Sequence, residues 1–227
     1  MTESKTVGDV IAEQVRYYRK RRGWSVKALA ERCAAAGAPQ LTEASLFNIE
    51  RGQDGTAKRR RREVSADELL VLAYVLVAPP LMLVLPLRDG TPITVADGLE
   101  LHPGLALRWM IGDEDLGMPD EQADEFNRDA RPMTLYIDLG RRVVDAVTAE
   151  GIVRGAETVM GVDSKQAIGA RERYGTALGE VAKILRRMDT VGMAAPSVDE
   201  VLLVDAARYG VEMPKSVRRQ KNSYVQR

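Results

Sequence analysis

The chain has 227 residues, 45% of them hydrophobic, 29% charged and only 5% aromatic, which excludes a disordered or fibrous chain and fits two small, helix-rich globular domains. A single cysteine, Cys33, and a single histidine, His102, exclude an internal disulfide and a His/Cys zinc site, so neither metal nor cofactor is expected. The 33 basic and 33 acidic residues balance overall, yet residues 1–63 carry 14 Lys and Arg against 8 Asp and Glu and the remainder 19 against 25; such polarity points to nucleic acid as the partner of the first part.

The N-terminal run Thr2–Lys5 is polar and holds no apolar signal-peptide core, so a cytoplasmic protein is expected. Val7, Val10, Ile11, Val15 and Tyr18 recur at helical spacing and predict a helix over 7–22, ended by Gly23. Ser25 caps a second helix with Val26, Leu29, Ala30 and Cys33 inward, closed by Gly37-Ala38-Pro39. Thr42 caps a short third helix whose inward positions are Ala44 or Ser45, Leu46 and Ile49, ending at Arg51-Gly52. A loop from Gln53 to Glu63 with the run Lys58-Arg59-Arg60-Arg61-Arg62 leads to the capping box Ser65–Glu68, which opens a fourth helix reaching about Val77 with Leu69, Leu72, Ala73 and Leu76 inward. Pro79-Pro80 starts a fifth through Leu85. The most apolar stretch, 69–87, is interrupted by Pro79, Pro80 and Pro86 and reads as buried helix, not as a membrane span.

Residues 86–98 read as a turn-rich linker, which predicts a first domain over 1–88 and a linker over 89–102. Beyond it, 103–111 predicts a short helix carrying Trp109, and 118–130 is acidic and weakly patterned, with Arg131-Pro132 as a stop. Two longer helices follow, 133–150 (Leu135, Leu139, Val143, Val144 and Val147 apolar) and 164–188 (Ile168, Leu178, Val181 and Leu185 apolar), expected to pair as a hairpin. A last helix, capped by Ser197, runs to Tyr209. Residues 103–214 therefore read as a helical module for self-association or partner binding, and 215–227, with Lys215, Arg218, Arg219, Lys221 and Arg227, as a basic mobile tail. The fold class is all-α.

Two short helices joined by a turn, the second exposing small and polar residues, form the arrangement that lets a helix enter a DNA major groove while its neighbour braces the backbone. Here the residues are Arg22-Gly23-Trp24-Ser25 entering the second helix, Leu29-Ala30-Glu31 within it, Leu41-Thr42 and Ile49-Glu50-Arg51-Gly52 around the third, and Leu69-Leu70-Val71-Leu72-Ala73 in the fourth. On these residues the segment 7–85 resembles the Cro/repressor-type (XRE) helix-turn-helix family. The resemblance implies a five-helix DNA-binding domain whose third helix reads base edges through Thr42, Glu43, Ser45, Phe47 and Asn48, with phosphate contacts from Ser25, Lys27 and Arg51, and with Glu50 and Arg51 fixing the end of that helix. The basic run Lys58, Arg59, Arg60, Arg61 and Arg62 adds further phosphate contacts, or is a solvated loop. Phe47 reads either as core or as a base or sugar contact; Asn48 as an adenine reader or an exposed side chain; Glu43 as a cytosine contact or a complement to the helix dipole. Val26 stands where the family usually has a phosphate-contacting glutamine, and the turn Ala34–Gln40 and the basic loop are longer than the family norm.

These readings predict a double-stranded DNA operator as partner and a transcriptional regulator, a host or phage-type immunity repressor, as function. A self-association of the C-terminal helices or a protein partner goes with it; the rival within the same fold is an antitoxin whose second module binds a partner protein. Cys33 reads as a core residue and His102 as a loop residue. A self-cleaving repressor needs a β-rich second half, a zinc peptidase needs HExxH, and neither is present, so no enzyme is expected.

Overall fold

In a computed structural model of the protein, which describes residues 4–51, 63–194, 196–217 and 219–220, four successive helices each begin at a hydroxyl residue. A two-residue strand, β1 (Lys5–Thr6), runs into α1 (Val7–Arg21), and α2 (Val26–Ala35), α3 (Glu43–Glu50) and α4 (Ala66–Leu76) follow. Thr6, Ser25, Thr42 and Ser65 accept hydrogen bonds from the backbone N–H of Asp9, Ala28, Ser45 and Glu68, each satisfying a donor the helix itself leaves open. At Thr6/Asp9 and Ser65/Glu68 the bond is returned, completing capping boxes. Gly23 (φ +69°) turns the chain after α1, whereas α4 ends on Val77 at φ +49°, a left-handed conformation that costs a β-branched residue strain. A short α5 (Leu81–Val84) completes the helices expected for this part.

Ile11, Val15, Leu29, Cys33, Leu46, Ile49, Leu72, Leu76 and Leu83 form one buried cluster, so every inward stripe except one falls where periodicity put it. On α3 the inward residues are Leu46 and Ile49, while Ala44 is exposed and Ser45 half-buried.

The N-terminal unit extends further than expected. Residues read as a linker form the antiparallel strands β2 (Ile93–Ala96) and β3 (Leu99–Leu101), and β2 pairs in parallel with β1 to give the order β1-β2-β3. Ile93 and Leu101 are buried, Lys5 N–H donates to the Pro92 carbonyl, and α6 (Pro103–Met110) follows, so the compact unit spans 1–110 and not 1–88. Ile93 and Leu101 carry too short an alternation to register as strands by pattern alone. This unit thus adds a small sheet to its helices, and the chain, though mostly helical, is not built of helices alone.

The second unit, 111–227, is built on a hairpin of α7 (Asp120–Met160) and α8 (Lys165–Thr190). Arg131-Pro132 does not stop α7. A helical proline removes one N–H and orphans the carbonyl four residues earlier; Pro132 and Arg128 are both exposed, which leaves that carbonyl to solvent. Nor does the helix end near Glu150: it continues ten residues to Gly161, which turns at φ +85°. Leu135, Leu139, Ala146 and Val153 of α7 meet Tyr174, Leu178, Val181, Leu185 and Met188 of α8, while Val144 and Val147, counted with the apolar face, are exposed. β4 (Val198–Asp199) leads into α9 (Glu200–Arg208), whose cap is Asp199 and not Ser197: the Asp199 carboxylate accepts from Val201 N–H at 2.9 Å. The expected mobile tail is in part attached, since Val217 packs against this core and β5 (Arg219–Gln220) pairs with β4. Residues 221–227 lie outside the described residues. Among the described residues no helix is long and apolar enough to cross a membrane, and no cluster of His, Cys, Asp and Glu is suited to a metal.

Two expectations follow. The fragment 1–110 should melt in one cooperative transition by circular dichroism, and 1–88, which lacks the strands that hold β1, should melt at lower temperature; equal melting would mean that the sheet contributes nothing. Burial also pushes the Cys33 thiol from its ordinary 9.0 up to about 11. The unfolded chain ionises first, so this contribution to stability is complete below pH 9 and is lost as pH rises toward 11. At pH 8 a thiol-specific reagent should leave the folded protein unmodified and label one thiol per chain only in denaturant.

Candidate nucleic-acid interface

The segment joining α2 to α3 is long, but it is closed by packing. α2 stops at Ala35, Gly37 turns at φ +92°, and Ala38 and Leu41 then drop into the core, 2% and 1% exposed. Ala38 N–H donates to the Cys33 carbonyl at 2.9 Å and Leu41 N–H to the Ala38 carbonyl at 3.1 Å. The Ser45 hydroxyl donates to the Gln40 carbonyl at 3.2 Å, fastening the first turn of α3 to the turn before it. The extra residues thus form a folded connection anchored at two apolar points, and α2 is not lengthened to absorb them.

α3 has two faces. Leu46 and Ile49 point inward, while Glu43, Ala44, Phe47 and Asn48 are exposed, with Arg51 exposed at the C-cap. Glu43, Phe47 and Arg51 are spaced by four and lie in one row, with Ala44 and Asn48 in the adjacent row. The row is about 12 Å long at 1.5 Å per residue, and an α-helix so furnished fits the major groove of B-DNA. The Arg51 guanidinium lies 5.6 Å from the centroid of the Phe47 ring. Together the face offers a carboxylate, an amide able both to donate and to accept, a guanidinium and an aromatic ring.

Each residue singled out from the sequence has a definite position. Thr42 is the exposed N-cap of α3, and Glu43 stands exposed in its first turn, where a carboxylate complements the helix dipole. Phe47 is 53% exposed and is therefore no core residue. Ser45 is half-buried and tied to Gln40, so it stands at the edge of the exposed face and not on it. Ser25 and Lys27 are exposed at the start of α2, Ser25 serving as its cap. Val26 packs against the core, which explains why an apolar residue replaces the amide expected there. Lys58, Arg59, Arg60, Arg61 and Arg62 lie outside the described residues.

The residue that sequence reasoning missed is Arg19. Its guanidinium grips the Glu50 carboxylate with two bonds, Nε to Oε1 at 2.6 Å and Nη2 to Oε2 at 2.5 Å, and its Nη1 donates to the Trp24 carbonyl at 2.7 Å. The side chains of Arg19 and Glu50 are only 11% and 7% exposed. One group thereby joins the last turn of α1, the turn into α2 and the end of α3. Trp24 is itself covered by Arg32, whose guanidinium lies 4.2 Å from the ring centroid. In the sequence Arg19 counts as one of several basic residues ending α1, and nothing local distinguishes it from Arg16, Lys20 and Arg21, which are exposed.

Comparison with protein-family models, with curated proteins and with solved structures gives no match.

Removing one partner of a buried, doubly bonded pair leaves an uncompensated charge, so Arg19→Ala should destabilise the N-terminal unit by about 3 kcal/mol. Both tryptophans, Trp24 and Trp109, belong to this unit, so denaturation of the full chain followed by tryptophan emission isolates its melting. The double variant Arg19→Met/Glu50→Met should recover part of the loss, because it leaves no charge buried alone; a double variant as unstable as the sum of both singles would refute the coupling.

Proposed function

We propose that the protein is a sequence-specific double-stranded DNA-binding transcriptional regulator acting in the cytoplasm, most simply a repressor, of the host or phage-immunity type, that blocks transcription by occupying its operator. The observation that carries this reading is the pairing on α3 of an exposed face bearing Glu43, Phe47, Asn48 and Arg51 with an inner side clamped through Arg19 and Glu50. A helix with one face exposed and the other tied down suits groove reading, because hydrogen bonds to base edges discriminate only when their donors and acceptors are kept in position. The basic surplus of residues 1–63 supplies the non-specific attraction to phosphate. In this reading residues 7–85 form an XRE-type domain, Thr42, Glu43, Phe47 and Asn48 face the bases with Ser45 at their margin, and Ser25, Lys27, Arg51 and the run Lys58–Arg62 hold the backbone. No catalytic group is assigned.

The antitoxin reading draws on a separate observation. Val144, Val147 and Ile152 of α7 are more than half exposed, apolar side chains that a second copy of the chain or a partner protein would cover.

The test separates register from reading. Duplexes enriched on the protein from a random pool provide the specific ligand, and scrambled duplexes the control, in fluorescence-anisotropy titrations at several salt concentrations. Replacing Arg60, Arg61 and Arg62 by alanine should weaken binding to both DNAs alike and flatten the salt dependence by about one unit of log–log slope for each phosphate no longer neutralised. Asn48→Ala should instead lower the preference for the enriched sequence by about 1–3 kcal/mol with the slope nearly unchanged. Failure to enrich any sequence would remove the proposal, and reversed effects would move the reading surface off α3.

A further inference from the structure

The second unit holds a cavity of about 550 Å³ between α7, α8 and the β4–α9 segment. That volume is within the range of pockets that enclose small organic molecules. Its wall is largely aliphatic, formed by Leu139, Val143 and Val147 of α7 and by Val198, Val201 and Leu202 across from them. Gly140 forms part of the same wall, and a Cβ added there would meet nothing within 4 Å, so the space reaches the backbone of α7.

The polar groups on this wall have one predominant sign. Among the described side chains, Glu150 and Asp199 both line it, with one cation, Arg154. Arg154 donates to the Glu150 carboxylate at 2.6 Å, but its side chain is 74% exposed and that of Glu150 only 22%. The guanidinium is therefore a solvent-screened partner, easily exchanged, while the Glu150 side chain is largely shielded from solvent. Asp199 is held in place by its cap bond to Val201 N–H. Two tyrosines complete the wall, and their hydroxyls are committed elsewhere: Tyr136 donates to the Ala194 carbonyl at 3.2 Å and Tyr174 to Asp205 at 2.7 Å. What they present to the cavity is aromatic surface.

Aliphatic walls, aromatic surface and two carboxylates together suit an apolar molecule carrying a positive charge, since a desolvated cation is stabilised both by carboxylate and by the electron-rich ring face. An anionic amphiphile of the same shape would bring its charge against Glu150 and Asp199. We propose that this cavity is a binding site for a small lipophilic amine, its protonated nitrogen held by Glu150 in place of Arg154 and its apolar body laid along Gly140, Val143 and Val147. The site stands independently of whether the N-terminal unit binds DNA.

Calorimetric titration of the full chain with three ligands sharing one apolar body, 4-phenylbutylamine, 4-phenylbutanol and 4-phenylbutyrate, tests it directly. The amine should bind one per chain and at least tenfold more tightly than the alcohol, with the carboxylate weakest. Glu150→Gln should cost the amine tenfold or more while leaving the alcohol unchanged. Gly140→Phe, which fills the space from a position with room for a side chain, should abolish binding of all three while the helical circular dichroism and the melting temperature are retained. Equal affinity for amine and alcohol would overturn the assignment of charge, and unimpaired binding by Gly140→Phe would overturn the location. Absence of any binding up to millimolar ligand, with light scattering showing a wild-type dimer that Gly140→Phe dissociates, would mean that a second copy of the chain fills the cavity and would overturn the proposal. None of these outcomes bears on the DNA titrations, so failure here and failure of the DNA reading are distinguishable.

Discussion

The N-terminal unit depends on one desolvated ion pair. Hydrophobic contacts bring α1, α2, α3 and α4 together, but apolar packing has no direction and leaves a short helix free to rotate or slide by small amounts. α3 has eight residues and only two fully inward side chains, Leu46 and Ile49, to hold it. The planar, two-pronged bond between Arg19 and Glu50 supplies the missing direction, because it is satisfied in one relative orientation of α1 and α3 and its third donor binds the Trp24 carbonyl at the entrance to α2. Both charges are nearly out of water, so the geometry cannot relax without leaving one of them unpaired. The outward face of α3 inherits its orientation from an interaction on its inward side.

What was legible in the sequence was what depends on neighbours along the chain. Ser25, Thr42 and Ser65 announced their helices because a hydroxyl before an apolar-periodic run satisfies an otherwise open N–H, and the inward stripes of α1, α2 and α4 followed from spacing. What was illegible depends on distant partners. β1 is two residues long and forms only because Ile93 and Thr94 pair with it from across the unit, so neither strand carries a signal of its own. Arg19 acquires its role from Glu50, thirty-one positions away. Pro132 misled for the opposite reason: its local rule is sound, but Pro132 and Arg128 are both exposed, so water can take up the carbonyl that the ring leaves without a partner. On the outward face, exposure of Glu43 and Asn48 was readable from their positions relative to Leu46 and Ile49, whereas Phe47 stood open between core and surface and the tie between Ser45 and Gln40 required knowing how the long turn folds back.

The two units solve the same problem of burial differently. The first gathers short helices around one cluster and uses polar groups, caps and the Arg19 clamp, to set their angles. The second relies on the length of α7 and α8, along which small residues such as Ala146 and Ala170 are fully covered and aliphatic residues fill the seam. One of its partly buried polar contacts is Tyr174 to Asp205, and burial together with that bond pushes the Tyr174 phenol upward, so it stays neutral and continues to donate. On one flank of this hairpin the β4–α9 segment stands off from α7, and the cavity lies between them.

The parallel pairing of β1 with β2 has a consequence for how the chain is made. Lys5 leaves the ribosome before any of α1 to α5, and its partner Ile93 is added only after all five have been synthesised. At about 5–20 residues per second the N-terminal strand waits roughly 5–20 s for that partner. Throughout this interval the helices must gather around Val15, Leu29 and Leu46 without the sheet, with the start of α1 held by its own Thr6/Asp9 box. Arrival of β2 then fastens the segment that opens α1 to residues made after all five helices, so the sheet serves as the closing stitch of the bundle.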